Sequence, residues 1–178
     1  MAGAILLLGV AGCNPMSAAM SGAKMGVKVF TGAQAKVYPL QGLSVESVRP
    51  YRSVALGEVT TDVARICTAG VLSEVRLALA EELLSDKLRR HFPGGEPRLV
   101  VNVAVRFFKE GDVFGKEPRL DLVVTLVDGA ARREVGKVYI EGISQSPLET
   151  EARHLAKADA EEIGDLLRDL KEGKGARN

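Results

Sequence analysis

Between residues 45 and 172 the apolar positions follow two periods, and each period predicts an element. Val54 and Leu56 share a face at spacing two just after Pro50, which predicts a short strand over Pro50 to Leu56. Gly57 to Gly70 shows neither period and reads as loop or frayed helix. Leu72, Val75, Leu79 and Leu83, with Leu77, Ala80, Leu84 and Leu88 beside them, then recur at steps of three and four. That spacing predicts one amphipathic helix with Glu74, Glu81 and Lys87 on its polar side. Arg89, Arg90 and His91 suit its last turn, where cations meet the negative end of the helix dipole, and Pro93-Gly94-Gly95 ends it.

The strand period returns further on. Val101, Val103, Val105 and Phe107 alternate with Asn102, Ala104 and Arg106, and Leu120, Leu122, Val124 and Leu126 alternate with Asp121, Val123 and Thr125. Val135 to Ile143 completes a three-stranded meander, with Asp128-Gly129 as a hairpin signal. A second helix opens at Ser146-Pro147-Leu148-Glu149, which offers an N-cap serine, a proline at the first helical position and a glutamate three residues after the cap. Its stripe of Leu155, Ile163, Leu166, Leu167 and Leu170 runs to Gly173, a C-cap. The order β-α-β-β-β-α predicts a single α+β domain, a mixed and mostly antiparallel sheet with two helices packed on it. The first two strands, joined by a helical crossover, are expected to be parallel neighbours.

Composition changes this picture at one end of the chain. The 178 residues are 46% apolar and 26% charged, with 24 basic against 23 acidic side chains. That balance carries no nucleic-acid signature. The charges are unevenly placed, however: residues 1–50 hold Lys24, Lys28, Lys36 and Arg49 against Glu46 alone, and nothing before Lys24 is charged. The run Ala4-Ile5-Leu6-Leu7-Leu8-Gly9-Val10-Ala11-Gly12 is too short to span a bilayer as a helix, which takes about 20 residues. Residues 13–44 are rich in Ala, Gly, Ser, Gln and Met and read as a flexible linker, with Gly26 to Phe30 as a possible short strand. Their lysines either touch anionic lipid or keep the linker soluble, the second being preferred. The folded domain is placed at 45–172 and a frayed tail at 173–178.

Val10-Ala11-Gly12-Cys13 resembles the lipobox of bacterial lipoprotein signal peptides. The resemblance implies cleavage before Cys13, removal of residues 1–12 and diacylation of the Cys13 thiol. Two acyl chains anchor durably where one does not. Family members open on a positive segment, and here only the α-amino group of Met1 supplies that charge. Asn14 stands where an aspartate would imply inner-membrane retention, so the resemblance implies the outer membrane, on its periplasmic face. Pro50-Tyr51-Arg52-Ser53-Val54, one helix, a meander ending near Val127-Asp128-Gly129 and a closing helix look like small uncharacterised lipoproteins whose fold is similar to the amino-terminal domain of TolB.

Catalytic punctuation is sparse. With His91 and His154 as the chain's two histidines, metal centres and acid-base triads have little to work with, and no cofactor is expected. Glu151-Ala152-Arg153-His154 has the Glu-x-x-His spacing of di-iron bundles but lacks the second copy those sites need. Cys67 reads as buried beside Ile66 and Val71, with pairing between chains as the alternative. Thr60, Thr61, Asp62 and Arg65 form either a polar site or the cap of a helix start. Val113 and Phe114, an apolar pair inside the charged connection from Lys109 to Pro118, are candidate partner contacts. The leading expectation is a membrane-anchored, non-enzymatic envelope protein that binds another protein or a cell-wall component. The alternatives are a small envelope hydrolase using Asp62, His91 or His154, and a subunit of an oligomeric secretion or pore-like assembly.

Overall fold

The structure, a computed structural model, describes residues 32–111, 117–144 and 151–174. The elements run β1 (Ala33–Gln41), α1 (Val45–Val48), β2 (Ser53–Thr61), α2 (Ala69–Leu83), α3 (Asp86–His91), β3 (Arg98–Lys109), β4 (Arg119–Asp128), β5 (Glu134–Ser144) and α4 (Ala152–Lys171). The strands form one sheet in the order β1-β5-β4-β3-β2. β2 and β3 are parallel, and every other pair is antiparallel. The domain is therefore α+β with a mixed sheet, as the periodicity predicts.

Alternation along the three central strands decides which side is covered. Leu99, Val101, Val103 and Val105, with Leu120, Leu122, Val124 and Leu126, and with Val138 and Ile140, are buried on one face. α2 and α4 pack there with Val71, Val75, Leu79, Leu83, Leu155, Ile163, Leu167 and Leu170. The alternate residues of the same strands are mostly half-buried or exposed.

Three expectations are corrected. The linker assigned to residues 13–44 ends in a strand: Ala33, Ala35 and Val37 face the core while Gln34, Lys36 and Tyr38 face away, so the alternation is present but carried by alanines. Pro39 suits this edge position, where one side of the strand needs no donor. The first predicted strand does not stop at Gly57. It continues to Thr61 across an irregularity where the Asn102 side chain occupies the space a Cβ on Gly57 would fill and accepts a hydrogen bond from the Glu58 N–H at 2.9 Å. The single long helix is two, because Ser85 caps α3 by accepting from the Leu88 N–H at 3.3 Å. Leu77, off the Val71-Val75-Leu79-Leu83 face, and Leu84, at the break, are exposed and outside the core. The hairpin signalled by Asp128-Gly129 is present between β4 and β5, over a five-residue turn. The Asp128 carboxylate accepts from the Ala130 and Ala131 amides at 2.9 and 2.7 Å, which holds a wider loop than a two-residue hairpin.

The proposed cap Ser146 to Glu149 lies outside the described residues, and Glu151 occupies the N-cap position of α4. At the other end Gly173 takes a φ of 80°, and the Lys174 N–H bonds the Asp169 carbonyl at 2.8 Å, a Schellman closure that only glycine enters without strain. Cys67 is buried and unpaired, and burial pushes its thiol up from the ordinary value.

Inside the helix–sheet seam lies one polar anomaly. Asp159 of α4 is fully buried, its two carboxylate oxygens have no hydrogen-bond partner, and its carboxyl fills the space that a Cβ on Gly142 would need. Burial, reinforced by Asp121 and Glu162, pushes its pKa well above the usual carboxylate range. The folded chain thus keeps a proton that the unfolded chain has released, so stability falls as pH rises above that range until Asp159 itself ionises. Urea denaturation across pH is expected to show this decline in the wild type. Asp159→Asn is expected to flatten that decline and to be the more stable form at alkaline pH; an unchanged slope would refute the assignment.

Candidate functional site

The face of the sheet turned away from α2 and α4 carries the most organised surface chemistry of the domain. Register places Asp121 of β4 directly opposite Glu141 of β5, a like-charge pair that is destabilising unless a cation joins it. Arg119, two residues before Asp121 on the same face, is that cation. Its Nε and one terminal nitrogen donate to the two Asp121 oxygens at 2.7 and 2.9 Å, while its other terminal nitrogen stands 3.0 Å from Glu141. The bidentate geometry is the one guanidinium favours.

Aromatic rings frame the cluster. Arg119 also donates to the Tyr139 hydroxyl at 3.1 Å, and its guanidinium sits 5.7 Å from the centre of the Phe107 ring. Tyr38 of β1 donates to Glu141 at 3.2 Å, and its ring is 5.9 Å from that of Tyr139. The bond to Glu141 raises the Tyr38 pKa, burial raises that of Tyr139, and the Asp121 carboxylate holds Arg119 protonated. Beside the cluster a shallow groove of about 510 Å³ runs over Leu40, Thr60, Asn102, Val123, Thr125 and Lys137. Tyr38, Leu40 and Phe107 are three of the six large apolar side chains left exposed among the described residues.

Arg119 is already engaged by two carboxylates and a phenol. Among the described residues no group of three or more His, Cys, Asp and Glu side chains is placed to hold a metal.

The residues singled out from sequence are dispersed. Cys13, Val113 and Phe114 lie outside the described residues, as do Lys24 and Lys28. Asp62 is paired with Arg106, and the Thr61 hydroxyl bonds the Val105 carbonyl at 2.9 Å and accepts from the Val63 N–H at 3.1 Å, so this segment forms a turn rather than a helix cap. His91 faces Glu172 at 3.5 Å, beyond the last turn of α4. His154 sits in the first turn of α4, about 27 Å away along the helix axis at 1.5 Å per residue. It lines a groove of about 360 Å³ between α2 and α4 with Glu82, whose carboxyl burial pushes up. The two histidines therefore do not converge, and Glu151 pairs with Arg153 rather than with His154.

The cluster around Arg119 was missed because its partners are spread over four strands. The signal was the polar phase of the alternation, Arg119-x-Asp121 and Tyr139-x-Glu141, and it was incomplete while β1 stood as a linker.

No family model matches the chain, and no curated protein matches it. Among solved structures it is similar to the PelC dodecamer from Paraburkholderia phytofirmans, at 15% identity and a TM-score of 0.44, over 82% of this chain and 99% of that one. A single-substitution variant of the same dodecamer gives 15% and 0.43, over 78% and 97%. A protein from Caulobacter crescentus described as a "putative lipoprotein" is similar at 15% identity and a TM-score of 0.45, over 72% of this chain and 98% of that one. The likeness is one of chain course, and dodecameric assembly is a property of PelC.

Arg119→Ala would leave Asp121 and Glu141 facing each other with Asp121 buried. It is expected to destabilise the domain by about 2 kcal/mol, the range for charged hydrogen bonds discounted for partial exposure. Arg119→Lys should recover only part of this because an ammonium cannot bridge both carboxylates bidentately. Urea midpoints of the two variants check the order.

Proposed function

We propose that the chain is a lipid-anchored lipoprotein of the bacterial cell envelope, whose folded domain is a non-enzymatic binding or assembly module held at the outer membrane on its periplasmic side. One observation carries the reading: an uncharged apolar run ends in Val10-Ala11-Gly12-Cys13, and the first folded strand begins only 20 residues after that cysteine. Cleavage before Cys13 and diacylation would supply the two chains that durable attachment requires. Among the described residues no helix is long and apolar enough to cross a membrane.

The binding surface under this reading is the uncovered sheet face. Tyr38, Leu40 and Phe107 present apolar area there, while Arg119, Asp121 and Glu141 hold each other in fixed geometry. A surface already ordered in the free chain gives up little entropy on docking.

Mass analysis of the mature protein from a bacterial envelope tests the anchor. The expected product begins at Cys13 and carries a diacylglyceryl group, and Cys13→Ala is expected to remain uncleaved and unacylated. A wild type without lipid, together with a Cys13→Ala form that still fractionates with membranes, would overturn the reading.

A further inference from the structure

The end of the sheet remote from the start of β1 is strongly basic, although the chain as a whole is almost neutral. Backbone contacts assemble it. Arg52 exchanges hydrogen bonds with the loop after α3, its N–H to the Pro97 carbonyl at 2.8 Å and its carbonyl from the Gly94 N–H at 3.0 Å. The Gly129 N–H reaches the Arg98 carbonyl at 2.9 Å, which brings in the β4–β5 turn with Arg132 and Arg133. Lys171 at the end of α4 donates to the Arg49 and Tyr51 carbonyls at 2.8 and 2.7 Å, over the Phe92 ring, and Tyr51 closes the circuit by donating to Asp128 at 2.9 Å.

Within residues 46–52, 89–98, 128–134 and 171–174 there are nine basic and five acidic side chains, whereas the rest of the chain holds 15 basic and 18 acidic. Four of the five acids have side-chain or backbone partners, and the fifth, Glu46, is exposed near Arg49. Asp128 is held by Tyr51 and two backbone amides, Glu134 pairs with Lys137, Glu96 with Arg98, and Glu172 with His91 and Lys174. Arg49, Arg52, Arg89, Arg90, Arg132 and Arg133 are exposed, and none closes a salt bridge among the described residues.

We infer that this arginine pole is a docking surface for the anionic lipid headgroups of the membrane that carries the anchor. Two observations select a lipid surface. The pole's segments expose no large apolar side chain, so its attraction is electrostatic and tolerant of a fluid, featureless partner. The chain outside the structure also has the right length. β1 runs from Ala33, beside Ser144, toward the pole, and its nine residues span about 30 Å. Cys13 and Ala33 are 20 residues apart, a separation that a flexible chain would span at about 25 Å r.m.s. and at most roughly 70 Å when extended. The domain can therefore stand on this pole at the bilayer with the tether within reach, and the anchor supplies an effective concentration at which weak ionic contacts are occupied. The delivery, though not the affinity of the pole, rests on the lipoprotein reading.

The test uses the full chain as Cys13→Ala, so that no acyl chain contributes, and measures co-sedimentation with vesicles of phosphatidylglycerol and phosphatidylethanolamine against vesicles of phosphatidylcholine alone. Binding only to the anionic vesicles, weakening with salt, is expected. Arg49→Gln/Arg89→Gln/Arg133→Gln should weaken it on the order of a hundredfold, whereas Arg76→Gln/Arg153→Gln/Lys157→Gln, an equal loss of charge on α2 and α4, should change it little. Equal losses in the two triple variants, no binding at low salt, or binding to soluble polyglutamate without binding to vesicles would each overturn the inference. Because this protein carries no lipid, either result is independent of whether Cys13 is acylated in the cell.

Discussion

Register in a one-sided sheet is the constraint on which the remaining features depend. Side chains alternate with a period of two, so once Val101, Val103, Leu122, Val124 and Ile140 are committed to the helix side, every intervening residue is committed to the other. A slip of one residue would bury Arg119, Asp121 and Glu141 under α4 and expose the aliphatic set to water. The cluster on the open face is thus the obligatory complement of the core, held in place by the same ladder hydrogen bonds.

That face shows how a sheet tolerates like charges in register. Asp121 and Glu141 would repel each other across β4 and β5, and Arg119 converts them into one network with Tyr38 and Tyr139. The network reaches β1, an edge strand with little apolar area of its own, and Tyr38 is its point of attachment. Behind the sheet Asp159 marks the opposite situation, a carboxyl without partners in a site shaped by the missing side chain of Gly142. Burial, with the nearby Asp121 carboxylate adding to it, holds its pKa above the usual carboxylate range.

Much of this was legible in the residues. The meander and the closing helix were visible because long aliphatic side chains repeat strictly there, and the parallel β2–β3 pair followed from a helical crossover. β1 was not legible, since alanines at positions 33 and 35 carry too little hydrophobic contrast to separate a strand from a linker. The division between α2 and α3 turned on one serine whose capping bond outweighs a continuing apolar period. Ion pairs across strands and the arginine pole were beyond sequence for a different reason: their members lie up to about 120 residues apart and meet only through topology.

The position of β1 has a mechanical consequence. The preceding chain joins the sheet at Ala33, while β1 runs antiparallel to β5 toward the far end. A pull between that junction and anything gripping the far end is directed along the strand axis. The β1–β5 hydrogen bonds then carry the load together in shear, rather than opening one after another as a zipper does. A strand too plain to announce itself in the sequence is the element through which tension on the domain would pass.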